Sequence, residues 1–332
     1  KNNYPDINIF GFDNEHTLQT ALNIKSIDGI LNSPLECLNT DLIYLCMPVD
    51  FSISLFKDII PHLKPNHIIT DVCSVKNVFD EIWNNLKPCG TYIGGHPMTG
   101  KEKGGFDNSD PLLFENSVYI VTNKTCKDFL DILNSIGARV TYLDAKLHDK
   151  VVSVVSHLPQ LLSVMLVNYA DKNYNNTHFL DFAAGGFRDM TRIASSGYSI
   201  WNSIINNNRT NIIDSLDLFI DELFKLKQLL ANSNNQIIEE LFEKAREIRD
   251  EIPKTSKGFL FPLHEIYVYV KDEPGVVSKI STVLYSNGIN IKDIELLKIR
   301  EGTGGTFRLS FESESDAVNA QALIQTIGYN TK

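Results

Sequence analysis

Between residue 7 and about residue 143 the chain alternates short apolar runs with amphipathic stretches. The runs at 7–12, 42–47, 67–72, 117–121 and 139–142 predict strands, since brief apolar segments bounded by polar turns suit a sheet covered on both faces. Between them Phe51, Leu55 and Ile59, and again Val78, Phe79 and Ile82, recur at helical spacing and predict helices with one buried face. Strand-helix alternation of this kind implies an α/β domain built on a mostly parallel sheet.

From about residue 146 the period changes. Residues 148–168 and 211–230 carry apolar positions three and four apart, and 235–250 continues as a strongly charged helix. The resulting helical domain is too thin to bury its own wide apolar faces, which implies pairing with a second copy of the chain as a homodimer. Pro253 and Gly258 then interrupt a polar stretch that reads as a linker. Beyond it, 264–270 alternates as a strand and Asp272-Glu273-Pro274-Gly275 turns into a helix over 276–286. Strands at 289–298 and 306–312 and a helix over 315–327 complete a β-α-β-β-α-β order. The expected division is 1–145 as an α/β domain, 146–252 as a helical domain, 253–262 as linker and 263–332 as a small α/β domain.

Composition narrows the ligand class. The 332 residues are 43% hydrophobic, enough to fill two or three cores. A formal net charge of -10 opposes a nucleic-acid partner, which needs clustered Lys and Arg, so small molecules are expected. Five widely spaced cysteines form neither a disulfide framework nor a zinc pattern and fit a reducing cytoplasm. No apolar run approaches the roughly 20 residues that span a bilayer, and no leader opens the chain, so no membrane role is expected.

Candidate chemistry concentrates in four stretches. Gly94-Gly95-His96-Pro97-Met98-Thr99-Gly100-Lys101-Glu102 sets one imidazole on a glycine-bracketed loop. Upstream lies Asp71-Val72-Cys73-Ser74-Val75-Lys76, and downstream Ser156-His157-Leu158-Pro159 and the segment Ala183 to Ala194, which holds Gly185, Gly186, Arg188, Asp189, Thr191 and Arg192. Together these stretches resemble the prephenate dehydrogenases of tyrosine biosynthesis. The Asp-Glu-Pro-Gly-Val turn and Gly288-Ile289-Asn290-Ile291 step resemble an ACT domain, a small amino-acid-sensing module.

That resemblance implies a Rossmann-like NAD-binding domain, an all-helical dimerisation domain and a ferredoxin-like ACT domain. It implies NAD-dependent oxidative decarboxylation of prephenate, with His96 as general base and Ser74 bonding the histidine or the substrate hydroxyl. Arg192 then clamps a substrate carboxylate through its planar fork, with Thr191 and Asp189 orienting it and Gly185 in the same segment. His157 faces the cleft in the family, and Gln160 stands where family members often carry a second histidine. Tyrosine is the expected effector, held near Pro274, Gly275 and Asn290.

Plainer readings stand beside these. Ser74 also suits a helix N-cap, His157 a satisfied core position, Lys76 a first-turn surface site, Glu102 a solvated surface charge and Trp201 a core aromatic. Asp13, after Ile9-Phe10-Gly11-Phe12, reads as a ribose-binding carboxylate or as a helix cap. Met47 and Pro48 read as a cofactor-facing turn or a plain strand-to-helix connection. Gly11 cannot open a Gly-x-Gly-x-x-Gly turn, because Asp13 and His16 occupy the other glycine positions. A strand-turn-helix unit is therefore expected to precede Lys1. The carboxylate of Asp13, with no Arg at 14 to 16, favours NAD over NADP. An arogenate dehydrogenase and a non-catalytic amino-acid sensor remain the competing functions.

Overall fold

The computed structural model describes residues 3–100, 104–251, 263–300 and 304–332. Lys101, Glu102 and the whole of the expected 253–262 linker lie outside the described residues. The chain divides into two compact units, Lys1–Ala245 and Arg246–Lys332.

Among the described residues the first unit holds four hydrogen-bonded sets of strands, one of them the small hairpin Asn173–Tyr174 with Thr177–His178. Phe10–Gly11 pairs in parallel with Gly29–Ile30. Leu42–Leu45, Ile68–Asp71 and Thr91–Ile93 form a parallel set with Leu42–Leu45 at its edge. Gly95–Pro97 runs antiparallel to Val118–Val121, which is parallel to Arg139–Tyr142. Four of the five predicted strands therefore appear close to their expected limits, whereas the first shortens to two residues. Thr91–Ile93 and Gly95–Pro97 escape the sequence pattern because each is only three residues long.

The hinge between those two short strands is Gly94-Gly95. A Cβ on Gly95 would lie 2.5 Å from the Asp71 carbonyl oxygen and 2.8 Å from the Tyr119 hydroxyl. Only a residue without a side chain lets the two backbones approach so closely. His96 therefore sits on a strand, not on a loop, and its glycines serve backbone packing. Gly11 likewise packs beneath Ile27 and Leu18.

Val49–Ile59 covers the sheet with Val49, Ser52, Phe56 and Ile59, a three-four-three spacing that turns one face inward. Phe56, Phe79 and Tyr92 meet edge-on or stacked in that core. Ile204 is buried in the same cluster and Trp201 packs against it, so helix Tyr198–Asn207 of the helical segment shares the α/β core. Ser203 and Asn207 also donate to Asp50 at the start of Val49–Ile59.

The helix expected over 148–168 runs without a break from Ala145 to Ala170. At 26 residues, with an 18-residue stretch of mean hydropathy 1.6, it is by length and composition long and apolar enough to cross a bilayer, which corrects the expectation that no run approaches that length. His148, Asp149, Ser153, His157 and Gln160 are buried along one face of it, whereas Leu147, Val154, Val155, Met165 and Tyr169 are exposed. Its centre, Ser153–His157, widens to a π-helix, and Leu158 N donates to Ser153 O, five residues back. Pro159 has no N–H to complete an ordinary turn there, so the local widening has an identifiable cause. Arg209–Ala231 and Asn235–Glu251 follow, with Leu218, Phe224 and Phe242 exposed.

The second unit holds an antiparallel sheet ordered Asp293–Arg300, Gly304–Phe311, His264–Val270, Asn330–Thr331. Helices Val276–Ser286 and Glu314–Thr326 bury Ile280, Leu284, Ala320 and Ile324 against Ile266, Val268, Leu309 and Phe311. This is the expected β-α-β-β-α-β order.

Candidate active site

Asp71 ends its strand fully buried. Lys76 Nζ donates to its Oδ1, Cys73 N donates to the same oxygen at 2.8 Å, and the Tyr92 hydroxyl donates to Oδ2 at 2.9 Å. Lys76 is 1% exposed, which overturns its reading as a first-turn surface residue. A buried ammonium requires a charged partner, and Asp71 supplies it. Burial first, then the Asp71 charge, pushes the Tyr92 hydroxyl well above its usual range and keeps it a donor.

Helix Asn77–Leu86 begins beside this pair without a cap from its own segment. Asp149 supplies the cap from the long helix: its Oδ1 accepts from Lys76 N at 2.7 Å and its Oδ2 from Asn77 N at 2.9 Å. A carboxylate placed there satisfies two N–H groups and meets the positive end of the helix. Ser74 is therefore not the N-cap; it stands half-buried in the turn after Asp71.

His96 lies at the centre of the arrangement. Its Nδ1 is 2.8 Å from His148 Nε2, and His148 Nδ1 is 2.7 Å from Asp149 Oδ1. The bond His96 makes is to His148 and not to Ser74. Burial lowers the His96 pKa well below the ordinary histidine range, with His148, Lys76 and His157 adding to the shift. The imidazole is neutral at physiological pH and is a competent proton acceptor.

His157 is turned inward at the end of the π-helical segment, 1% exposed and edge-on to Trp201 at 5.9 Å between ring centroids. Its Nδ1 lies 3.2 Å from Asn208 Nδ2, while its buried Nε2 has no hydrogen-bond partner among the described residues. Burial pushes its pKa down to about 4 against the pull of Asp149.

The arginine segment is built differently. Gly185–Thr191 forms a short helix and Arg192–Ser195 a tight turn, with Gly185, Met190 and Arg192 exposed. Thr191 Oγ1 donates back to Phe187 O at 2.7 Å. Gln160, 4% exposed, donates from Nε2 to Ile193 O at 2.9 Å and so ties the turn to the long helix.

At the far edge Asp13 is exposed beyond Phe10–Gly11, and it is Asn14, accepting from Thr17 N at 3.0 Å, that caps helix Glu15–Asn23. Met47 and Pro48 follow the carboxyl end of Leu42–Leu45, the end where α/β sheets receive ligands. In the second unit Gly275, at φ +87°, lines a cavity of about 400 Å³ with Val270, Asp272, Val276, Leu296 and Phe307. Pro274 and Asn290 are exposed and are not among its lining residues.

Family profiles match almost the whole chain. The prephenate dehydrogenase nucleotide-binding domain matches residues 1–142, its dimerization domain 144–247 and the ACT domain 264–323. The chain belongs to the prephenate dehydrogenase family. Prephenate dehydrogenase of Bacillus subtilis is 32% identical, the match covering 98% of this chain and 91% of the relative. That of Lactococcus lactis subsp. cremoris is 34% identical over 98% and 92%. Among solved structures, prephenate dehydrogenase from A. aeolicus in complex with hydroxyphenyl propionate and NAD+ has a TM-score of 0.67 at 28% identity. That match covers 76% of this chain and 92% of the other. Synechocystis arogenate dehydrogenase gives 0.63 at 25%, covering 74% and 91%. His148, Asp149 and Asn208, which the structure bonds to the candidate residue His96, to His148 and to the candidate residue His157, are residues that sequence reasoning missed. For the first two the signal was an adjacent His-Asp pair inside a mostly apolar helix; Asn208 had none.

Proposed function

We propose that this dehydrogenase oxidises prephenate with loss of carbon dioxide to give 4-hydroxyphenylpyruvate, with His96 as the base. The observation that carries the reading is a buried, neutral imidazole bonded through Nδ1, which leaves the other nitrogen for a substrate hydroxyl. NAD, when bound, supplies the acceptor for the hydride that leaves C4. The exposed Asp13 carboxylate suits its ribose hydroxyls, and Met47 and Pro48 stand at the ligand-receiving end of the sheet.

His96 takes the C4 hydroxyl proton as the C–H bond breaks. The carboxylate on C1 then departs as carbon dioxide, its bonding electrons closing the aromatic ring, and His96 returns the proton to the C4 oxygen. Ser74, in the turn beside Asp71, donates to that oxygen. Arg192 and Thr191 stand on the segment that receives a substrate carboxylate, with Gly185 opening its helix. His157 offers an N–H to a second substrate oxygen. Gln160 acts by holding the arginine turn at Ile193.

The homodimer forms through the exposed apolar faces of the dimerisation domain, Leu218 and Phe224 among them. The ACT unit takes an amino acid, for which we name tyrosine: Gly275 and Val276 present the helix N-terminus to a carboxylate, and Leu296 and Phe307 suit an aromatic ring. All five cysteines are free, in keeping with the cytoplasm. The test follows formation of reduced nicotinamide with prephenate or arogenate, with and without tyrosine. Turnover of prephenate, suppressed by tyrosine, is expected; turnover of arogenate alone overturns the substrate assignment.

A further inference from the structure

We propose that Asp149 and Asn208 are positioning residues that lock the two cleft histidines into opposite tautomers, His96 as a proton acceptor at Nε2 and His157 as a donor at Nε2. The substrate named for the cleft rests on the proposed function; the tautomers rest on the hydrogen bonds alone.

Asp149 spends both oxygens as acceptors from the N–H groups of Lys76 and Asn77, so it is held as a carboxylate. His148 Nδ1, 2.7 Å from Oδ1, must then carry a hydrogen. In the neutral ring its Nε2 bears the lone pair, and the nitrogen facing it at 2.8 Å, His96 Nδ1, must be the N–H. One proton per contact leaves His96 Nε2 with a lone pair.

Asn208 runs the same logic with the opposite outcome. Its Nδ2 lies 2.8 Å from the Asp149 carbonyl oxygen, which can only accept, and its Oδ1 receives Asn211 Nδ2 at 2.7 Å. The carbonyl contact fixes which end of the amide is nitrogen, and the Asn211 contact agrees with it. The second hydrogen on Nδ2 therefore points at His157 Nδ1, which must be the acceptor, and His157 Nε2 is the N–H. That N–H is the buried atom without a partner, a donor in need of an acceptor. A single residue, Asp149, thus serves one histidine through its side chain and the other through its backbone carbonyl.

The test is long-range 1H–15N correlation on the full chain labelled at histidine nitrogen, with His96→Asn and His157→Asn spectra for assignment. His96 is expected as the Nδ1–H form and His157 as the Nε2–H form. Either histidine in the other tautomer, or as a cation at neutral pH, overturns the proposal. Asn208→Asp replaces a donor with an acceptor, so His157 should switch to Nδ1–H and the KM for prephenate should rise about tenfold with kcat little changed. His148→Gln should instead lower kcat, about a hundredfold, at nearly constant KM. Reversal of that kcat–KM split also overturns the assignment. Expected tautomers in a chain that fails to oxidise prephenate would sink the substrate reading and leave this one standing.

Discussion

Two regions of the first unit are built on opposite plans. Asp71, Lys76 and Asp149 are buried and bonded: the Lys76 ammonium to Asp71 nearby, and Asp149, from a distant helix, to the first N–H groups of helix Asn77–Leu86. The segment from Gly185 to Ser195 is mostly exposed, carries short helical turns and is braced to the long helix by Gln160. Proton transfer needs atoms fixed in advance, and burial with complete hydrogen bonding fixes them. A substrate must enter and leave, and an open segment with an arginine allows that.

The contrast is broken most severely at Lys76. Lys76→Ala leaves the Asp71 carboxylate buried without its cation and should cost about 4 kcal/mol in urea unfolding. A loss within experimental error would mean that the pair does not organise the rigid half. Acid should act on the same half. The folded-state pKa of His157 lies near 4, below the usual 6.5, so the unfolded chain binds more protons between those values. Stability should therefore be intact above about pH 6.5 and fall as pH drops toward 4, by on the order of 3 kcal/mol from this group. His157→Asn should flatten that decline, and an unchanged slope would contradict it.

The open half should answer in binding rather than in folding. Arg192→Ala is expected to raise the KM for prephenate about thirtyfold, roughly 2 kcal/mol, with the melting temperature unmoved. Gln160→Leu removes only the brace to Ile193 and should raise KM about fivefold, a single hydrogen bond's worth. If Gln160→Leu matched Arg192→Ala, the glutamine itself would be contacting substrate.

Legibility in the sequence followed the same divide. The sequence pattern placed Arg139–Tyr142, His264–Val270 and Val276–Ser286 at their observed limits; in the latter two the periodicity records which face is covered. Motif resemblance pointed to His96 and His157, which the structure buries and links through His148, Asp149 and Asn208, and to Arg192, which it leaves exposed. What stayed hidden were tertiary contacts: no local pattern says that Asp149 caps a helix 72 residues upstream, and although Lys76 lies only five residues from Asp71, nothing in the sequence shows that it turns inward to pair with it. The strand carrying His96 was hidden for a similar reason, since its three residues pair with Val118–Val121 across a glycine hinge. The π-helical segment had a visible clue in Pro159, but its effect on His157 depends on the helix continuing through it.

The most direct test of the account is the rate of reduced-nicotinamide formation by His96→Asn at saturating prephenate and NAD, measured beside the affinity for an unreactive substrate analogue. A kcat lower by about a thousandfold with analogue affinity preserved is the predicted result. A variant that turns over at near the wild-type rate would show that the proton leaves by another route.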